Sequence, residues 1–261
     1  FKIMIVNDGS TDKSQEIINS YKEKYPDKII SIEQSNKGVA ITRNESIKRA
    51  NSKYIMFIDN DDFLDKDYIE TFIKVAEEGD FDMVLGGYRR PNEKGKIIKK
   101  LGLKETEWCK YMIMTPWAKI YKRQFLIDNN IEFLNNNIGE DIYFNLKAIM
   151  ISKKVKIIDY IGYNWFFNTE SVSNASQKNI KNLQVYELLN ASYDLVKNNG
   201  WLEDNYQMLE IHFTRYIIWL LSFSTKKLTY KEISEEYHKL FKWLEERFPN
   251  YRKNKMISYT K

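Results

Sequence analysis

Ile3-Met4-Ile5-Val6 is a short unbroken apolar run, the pattern of a strand covered on both faces. A polar turn, Asn7-Asp8-Gly9-Ser10-Thr11-Asp12, follows it. Ile17, Ile18, Tyr21 and Tyr25 then recur on one helical face, with Asp12 and Gln15 spaced as a capping pair. Ile29 to Ile32 reads as a second strand, Gly38 to Ala50 as a helix, and Tyr54 to Ile58 as another buried strand, ending at Asp59. Asp67 to Glu78 is helical through Tyr68, Ile69, Phe72, Ile73 and Ala76, and Met83 to Leu85 is a further strand. Strand and helix in repeated alternation predict an α/β fold of βαβ units with a mostly parallel sheet. Ligands of such sheets bind beyond the carboxyl ends of the strands, which directs attention to the polar residues after Val6 and Ile58.

The stretch from about Arg89 to Phe133 is less regular. Glu140 to Ile151 reads as a helix and Val155 to Phe167 as strand material. After Ser176 three helical patterns follow: Ile180 to Lys197, Trp201 to Phe223 and Tyr230 to Phe248. A soft boundary near residue 175 therefore separates an α/β unit, 1–175, from a helical region, 176–261. No internal repeat or low-complexity segment interrupts either.

Composition narrows the picture. With 43% hydrophobic and 30% charged residues, the 261-residue chain has material for a core and is too apolar to be disordered. The excess of 41 basic over 36 acidic residues suits a phosphate-bearing ligand or an anionic surface, but is too diffuse for nucleic acid. The single cysteine, Cys109, excludes an internal disulfide framework, and no Cys/His cluster suggests zinc. No apolar run approaches the roughly 20 residues that span a bilayer, and no signal-peptide pattern is visible. The chain starts at Phe1, already inside a strand, and reads as a fragment. A cytosolic location is expected.

Three acidic clusters carry the candidate chemistry. Asp8, in the turn after the first strand, could accept hydrogen bonds from a base or ribose, although taken alone the segment is better read as a plain turn with a helix cap at Ser10, Thr11 or Asp12. No Gly-Lys-Ser/Thr follows, so it is not a P-loop. Asp59-Asn60-Asp61-Asp62 places three carboxylates within four residues at a strand end, where they repel one another unless a cation neutralises them. Oxygen-only ligands suit Mg2+ or Mn2+, which would also grip a diphosphate. Phe63 excludes an EF-hand and a phosphatase-type Asp-x-Asp-x-Thr alike. Gly139-Glu140-Asp141 opens a helix; its carboxylates are ordinary dipole partners there, or else a general base.

Together the clusters resemble glycosyltransferase family 2, nucleotide-sugar-dependent enzymes with the GT-A fold. The resemblance rests on Asn36-Lys37-Gly38, Thr42-Arg43-Asn44 and the run Tyr54-Ile55-Met56-Phe57-Ile58-Asp59-Asn60-Asp61-Asp62, with Thr42 where the family usually has Ala. Trp117-Ala118-Lys119-Ile120-Tyr121-Lys122-Arg123 before Glu140-Asp141 resembles bacterial members that build surface polysaccharides. The resemblance covers roughly residues 1 to 175. It implies a GT-A, Rossmann-like sheet flanked by helices. It also implies transfer of a sugar, with inversion, from a nucleotide-diphosphate donor (a UDP-sugar is expected) to a hydroxyl of a glycan or lipid-linked acceptor.

Residue by residue, the resemblance gives Asp8 the nucleotide base and Arg43 the nucleotide or its phosphates. Asp59 would lie near ribose and metal, Asp61 would ligate Mn2+ or Mg2+ on the diphosphate, and Asp141, seconded by Glu140, would be the base. Two departures stand out. The family's usual first strand, with its Pro-x-Tyr-Asn-like turn, is missing and is expected in the native protein. Tyr163-Asn164-Trp165-Phe166-Phe167-Asn168 before Ser171-Val172-Ser173 lacks the arginines of many relatives.

Other residues receive plainer readings. His212, His238 and Cys109 are expected to pack rather than to ligate or react. Trp165-Phe166-Phe167 could stack on a sugar or pack in the core, and Trp117 is a weak candidate for the acceptor-side wall. The basic and aromatic residues of the C-terminal helices, among them Arg215, Tyr216, Trp219, Trp243, Arg247, Phe248, Tyr251 and Arg252, could rest on an anionic membrane at the inner face, or pack on the α/β unit or on a second copy; packing is preferred. Two competing readings remain: a nucleotidyltransferase, and a non-catalytic binding or scaffold module of the same fold.

Overall fold

The computed structural model describes residues 1–167 and 179–255. The chain begins with β1 (Ile3–Asp8) and β2 (Ile29–Gln34), joined by α1 (Ser14–Lys24) and paired in parallel with Ile3 opposite Ile29 and Asp8 opposite Gln34. The capping pair expected at α1 does not form. Asp12 instead accepts from the Ser14 amide at 2.9 Å, while the Gln15 side chain accepts from Asn7 Nδ2 at 2.8 Å. Nor is the apolar face of α1 enclosed: Ile17, Tyr21 and Tyr25 are exposed, because α1 lies on a sheet only two strands wide. Among the described residues this pair shares no ladder with the larger sheet.

After α2 (Val39–Arg49) come β3 (Tyr54–Ile55), β4 (Phe63–Leu64), α3 (Tyr68–Gly79), β5 (Met83–Pro91), β6 (Ile97–Leu101), β7 (Lys119–Lys122), α4 (Arg123–Asp128), α5 (Glu140–Ile151) and β8 (Val155–Asn164). The larger sheet runs β3-β7-β5-β8-β4, with β6 also on β5. Only β5 and β8 pair in parallel; the other pairings are antiparallel. The mostly parallel sheet predicted from the alternation is therefore mixed. The reason lies in the segment that shows no clear period: β7 comes from it and inserts antiparallel between β3 and β5. The strand expected over Tyr54 to Ile58 is also shorter, since β3 is laddered only to β7 and only through Tyr54 and Ile55. Phe57 leaves the ladder to set its ring edge-on against Tyr121, Phe133 and Phe144.

The C-terminal helices are α6 (Val185–Asn198), α7 (Trp201–Asp204), α8 (Tyr206–Ser224) and α9 (Tyr230–Arg247). The helix expected from Trp201 breaks at Asn205, and a 3-10 turn, Ile180–Asn182, precedes α6. A complete capping box between Thr229 and Glu232 starts α9. One core runs from Phe72, Leu85 and Phe144 into Leu188, Phe213, Leu240 and Phe248. Each such side chain contributes about 1.5–3 kcal/mol by leaving water. Trp243, Phe248 and Tyr251 belong to this core, and Arg247 lies 4.3 Å over Trp243, so these residues do not form an open basic surface. No described helix is long and apolar enough to cross a membrane. Asn168, Ser171-Val172-Ser173 and the boundary expected near 175 lie outside the described residues.

Candidate active site

The first acidic residue works on its own chain. Asp8, the last residue of β1, accepts from Gln34 Nε2 (2.8 Å) and the Lys37 amide (2.9 Å) on Oδ1, and from the Gly38 amide (2.9 Å) on Oδ2. It thereby fastens the Asn36-Lys37-Gly38 turn to the end of β1. Burial works against its charge, yet these hydrogen bonds hold its carboxyl below the usual range. Gly9, at φ +79, is required here: a Cβ would come 2.8 Å from the Asn36 amide nitrogen.

The second cluster is held from the far edge of the sheet. β4 pairs with the end of β8, Phe63 opposite Asn164 and Leu64 opposite Tyr163, which brings the 59–62 turn over that strand. The Tyr163 hydroxyl accepts from the Asp59 amide at 3.2 Å and donates to Asp62 Oδ2, and Asp62 Oδ1 accepts from the Phe166 amide at 2.8 Å. Asp62 is thus a strut for the turn, its carboxyl pushed up to about 7 by burial. Arg89, Asn164 and Asp65 make a second clamp beside it. Asp61 stays exposed, with a carboxylate free to turn toward a ligand.

Arg43 joins the clusters. From α2 it reaches Asp59 Oδ1 at 2.7 Å and Glu140 Oε1 at 3.6 Å, its guanidinium resting 5.3 Å over the Phe133 ring. Arg43, Asp59, Glu140 and Asp141 therefore share one site. Asp8 is tied to the β2–α2 connection, and Gln34 Nε2 donates both to it and to Thr42, the residue before Arg43.

Glu140 and Asp141 occupy the first turn of α5 because Gly139 turns the chain there at φ +71. A side chain at Gly139 would collide with Leu188 Cδ2 at 2.3 Å, so α6 packs hard against the start of α5. Asp141 accepts from the Ile142 amide at 2.8 Å. Burial first, then the neighbouring Glu140, raises its carboxyl, with Arg43 pulling the other way. Burial likewise raises Glu140 and Asp59, again opposed by Arg43. Raised carboxyls near a guanidinium are what a general base at neutral pH requires.

Trp117 is buried beneath this site rather than lining an open wall. It stacks on Tyr163 at 4.6 Å and 7° and stands edge-on to Tyr88. Trp165 belongs to the same aromatic group, with Arg90 3.8 Å from its ring. Cys109 and His212 are buried, and burial lowers the imidazole of His212 to about 4.

The sequence pattern gives no role to Asn145, nor to Tyr121 and Lys119 within the 117–123 motif. The buried Tyr121 hydroxyl donates to Asn145 Oδ1 at 2.7 Å, and Asn145 Nδ2 donates to the Asp141 carbonyl at 2.8 Å. The signal was present as a polar residue amid the apolar stretch of α5 and a lysine amid that of β7.

With Asp62 taken up by Tyr163 and the Phe166 amide, Asp61 and Asp59 are the carboxylates of the 59–62 turn left for a cation. Among the described residues no three metal-ligating side chains converge, so protein ligands alone do not complete a site. The set still fits Mg2+ or Mn2+ with a diphosphate: Asp61 is open, and the charge of Asp61 helps to raise the carboxyl of Asp59, a repulsion a cation would relieve.

The sequence profile of glycosyl transferase family 2 matches residues 1–174. The chain belongs to glycosyl transferase family 2. Among curated relatives it is 29% identical over 191 residues to glycosyltransferase GlyA of Streptococcus pneumoniae serotype 4, covering 66% of this chain and 27% of GlyA. It is 28% identical over 198 residues to the uncharacterized glycosyltransferase YibD of Escherichia coli (strain K12), covering 70% of this chain and 57% of YibD. The chain thus spans less than two thirds of the length of these relatives. The crystal structure of S. aureus TarS 1–349 in complex with UDP-GlcNAc superposes with a TM-score of 0.59 at 19% identity, over 97% of this chain and 83% of that one. The fold is the GT-A α/β fold that the motifs imply. The family match speaks against the nucleotidyltransferase reading.

Proposed function

We propose that this chain transfers a sugar from a UDP-sugar to a hydroxyl of a glycan or lipid-linked acceptor, with inversion at the anomeric carbon, in the cytoplasm. The observation that carries the reading is the Arg43 bridge, which holds the Asp59 carboxylate on one side and the Glu140-Asp141 pair on the other. Relatives point the same way: a TarS structure holds UDP-GlcNAc, and TarS is named as a poly(ribitol-phosphate) β-N-acetylglucosaminyltransferase.

In this reading Asp8 and the turn it fastens receive the nucleotide base, and Arg43 lies beside the phosphates. Asp61 and Asp59 would hold Mn2+ or Mg2+, which supplies positive charge to the departing diphosphate. Asp141 accepts the proton of the acceptor hydroxyl. The acceptor oxygen forms its bond to the anomeric carbon as the bond from that carbon to the diphosphate oxygen breaks, and UDP leaves with the electron pair. Glu140 and Arg43 keep the Asp141 carboxyl ready to take that proton. The base comes from α5 and the donor carboxylates from the 59–62 turn, so the two can face opposite sides of the sugar.

The test is Asp141→Asn. It should lower sugar transfer by about 10²–10⁴-fold, the size of a lost general base, while UDP still binds. Transfer at the wild-type rate would remove Asp141 from the reaction.

A further inference from the structure

Lys119 is a fully buried cation that the reaction above does not use. It lies in β7 and is 1% exposed. Among the described residues no carboxylate pairs with it. Its Nζ instead donates to the carbonyl oxygens of Ile113 at 2.7 Å, Thr115 at 2.6 Å and Trp117 at 3.5 Å. A buried ammonium has three donors to satisfy, and one curl of main chain satisfies all three. Burial lowers this amine to about 7, and the charge of Asp141 works against that shift.

The curl ends in a strained residue. Ala118 has φ +56, in the left-handed region, which strains an L side chain. Its carbonyl is tied to the Gly86 amide of β5 at 3.0 Å. Strain of this kind persists only where the surroundings impose it.

The curl touches both halves of the site. At one end Trp117 is stacked on Tyr163, whose hydroxyl accepts from the Asp59 amide at 3.2 Å. At the other, the Met114 carbonyl accepts from Asn145 Nδ2 at 3.0 Å, and the same nitrogen donates to the Asp141 carbonyl. We infer that Lys119 is a positioning residue: by holding residues 113–117 in one conformation, it sets the spacing between the donor carboxylate Asp59 and the base Asp141. This rests on the roles given to those two residues above. A lysine that served only to fill the core would be replaceable by methionine at no cost to turnover.

The experiment compares the full chain with Lys119→Met, Lys119→Arg and the double variant Ala118→Gly/Lys119→Met. UDP affinity is read by calorimetry with Mn2+, UDP release from UDP-GlcNAc by steady-state kinetics, and amide exchange across 113–118 by mass spectrometry. K119M should bind UDP nearly as the wild type does, with donor KM little changed. Its kcat should fall roughly ten- to hundred-fold, as a small misplacement of reacting groups does, and residues 113–118 should exchange faster. Glycine takes φ +56 without strain, so Ala118→Gly should restore part of that kcat. Should K119M fail to fold, K119R, which keeps the charge but not the geometry, should show the same split more weakly. The inference is overturned if kcat and local exchange stay at wild-type values, or if UDP binding and turnover fall together with global stability and glycine restores nothing. A folded wild type that binds no UDP would sink the donor reading instead. Local exchange in K119M then decides alone: faster exchange confined to 113–118 and the start of α5 supports the inference, and unchanged exchange contradicts it.

Discussion

Arg43 donates to Asp59 Oδ1 at 2.7 Å while its other terminal nitrogen lies 3.6 Å from Glu140. One guanidinium therefore compensates carboxylates from two separate segments of the chain. Both carboxyls are raised by burial and lowered by this one cation.

Arg43→Met should therefore cost stability, and the cost should depend on pH. Leaving two half-buried carboxylates uncompensated should lower the free energy of unfolding by about 1–3 kcal/mol, below the cost of breaking a fully buried pair because Asp59 is partly solvated. Both carboxyls have folded-state pKa values above their unfolded ones, so ionising them as pH rises lowers stability, and more so without Arg43. Urea unfolding should show a larger deficit at pH 8 than at pH 5. An equal deficit would show that the bridge is electrostatically idle.

Asp141 fixes the direction of the pH–rate profile. Its folded pKa lies above the 3.8 of an ordinary aspartate, raised by burial and by Glu140. The acid limb of kcat/KM should accordingly sit above the ordinary carboxylate range, with activity rising as the pH rises through it. For stability the sign is opposite: between the unfolded and folded pKa values the folded state loses stability as pH rises. Asp141→Asn should thus melt at a higher temperature than the wild type at neutral pH. A lower melting temperature there would contradict the raised carboxyl.

Gly139 couples the C-terminal helices to the base. Its φ of +71, the 2.3 Å approach to Leu188 Cδ2 and the 2.9 Å approach to the Tyr216 hydroxyl leave no room for a methyl group. Gly139→Ala should destabilise by about 1–3 kcal/mol and lower kcat as the start of α5 shifts. Unfolding and turnover measured on the same preparation check both. A stable, fully active Gly139→Ala would show that α6 and α8 do not fix Glu140 and Asp141.

Much of this site can be read from order along the chain, because its parts hang on local signals. Apolar runs ending in Asp8 and Asp59, and the glycine before Glu140, mark where strands and a helix deliver carboxylates. What escapes the sequence is tertiary. The strand after Lys53 shortens because only β7 pairs with it, and the apolar face of α1 stays exposed because two strands cannot enclose it. Trp117 lies beneath the site rather than at its rim, since Tyr163, sequence-distant, supplies the ring it stacks on. Asp62 looks like a third ligand in sequence, yet β8 uses it as a strut. Lys119 and Asn145 are single polar residues in apolar elements, and only the packing of β7 against α5 shows what they hold.

The most direct test of the account is calorimetric titration of the full chain with UDP, with and without Mn2+, beside Asp61→Ala and Asp141→Asn. UDP should bind only with Mn2+, Asp61→Ala should abolish the binding, and Asp141→Asn should leave it intact. A folded wild type that ignores UDP, or an Asp61→Ala variant that binds it as tightly as the wild type, would contradict the donor site assigned to Asp59 and Asp61.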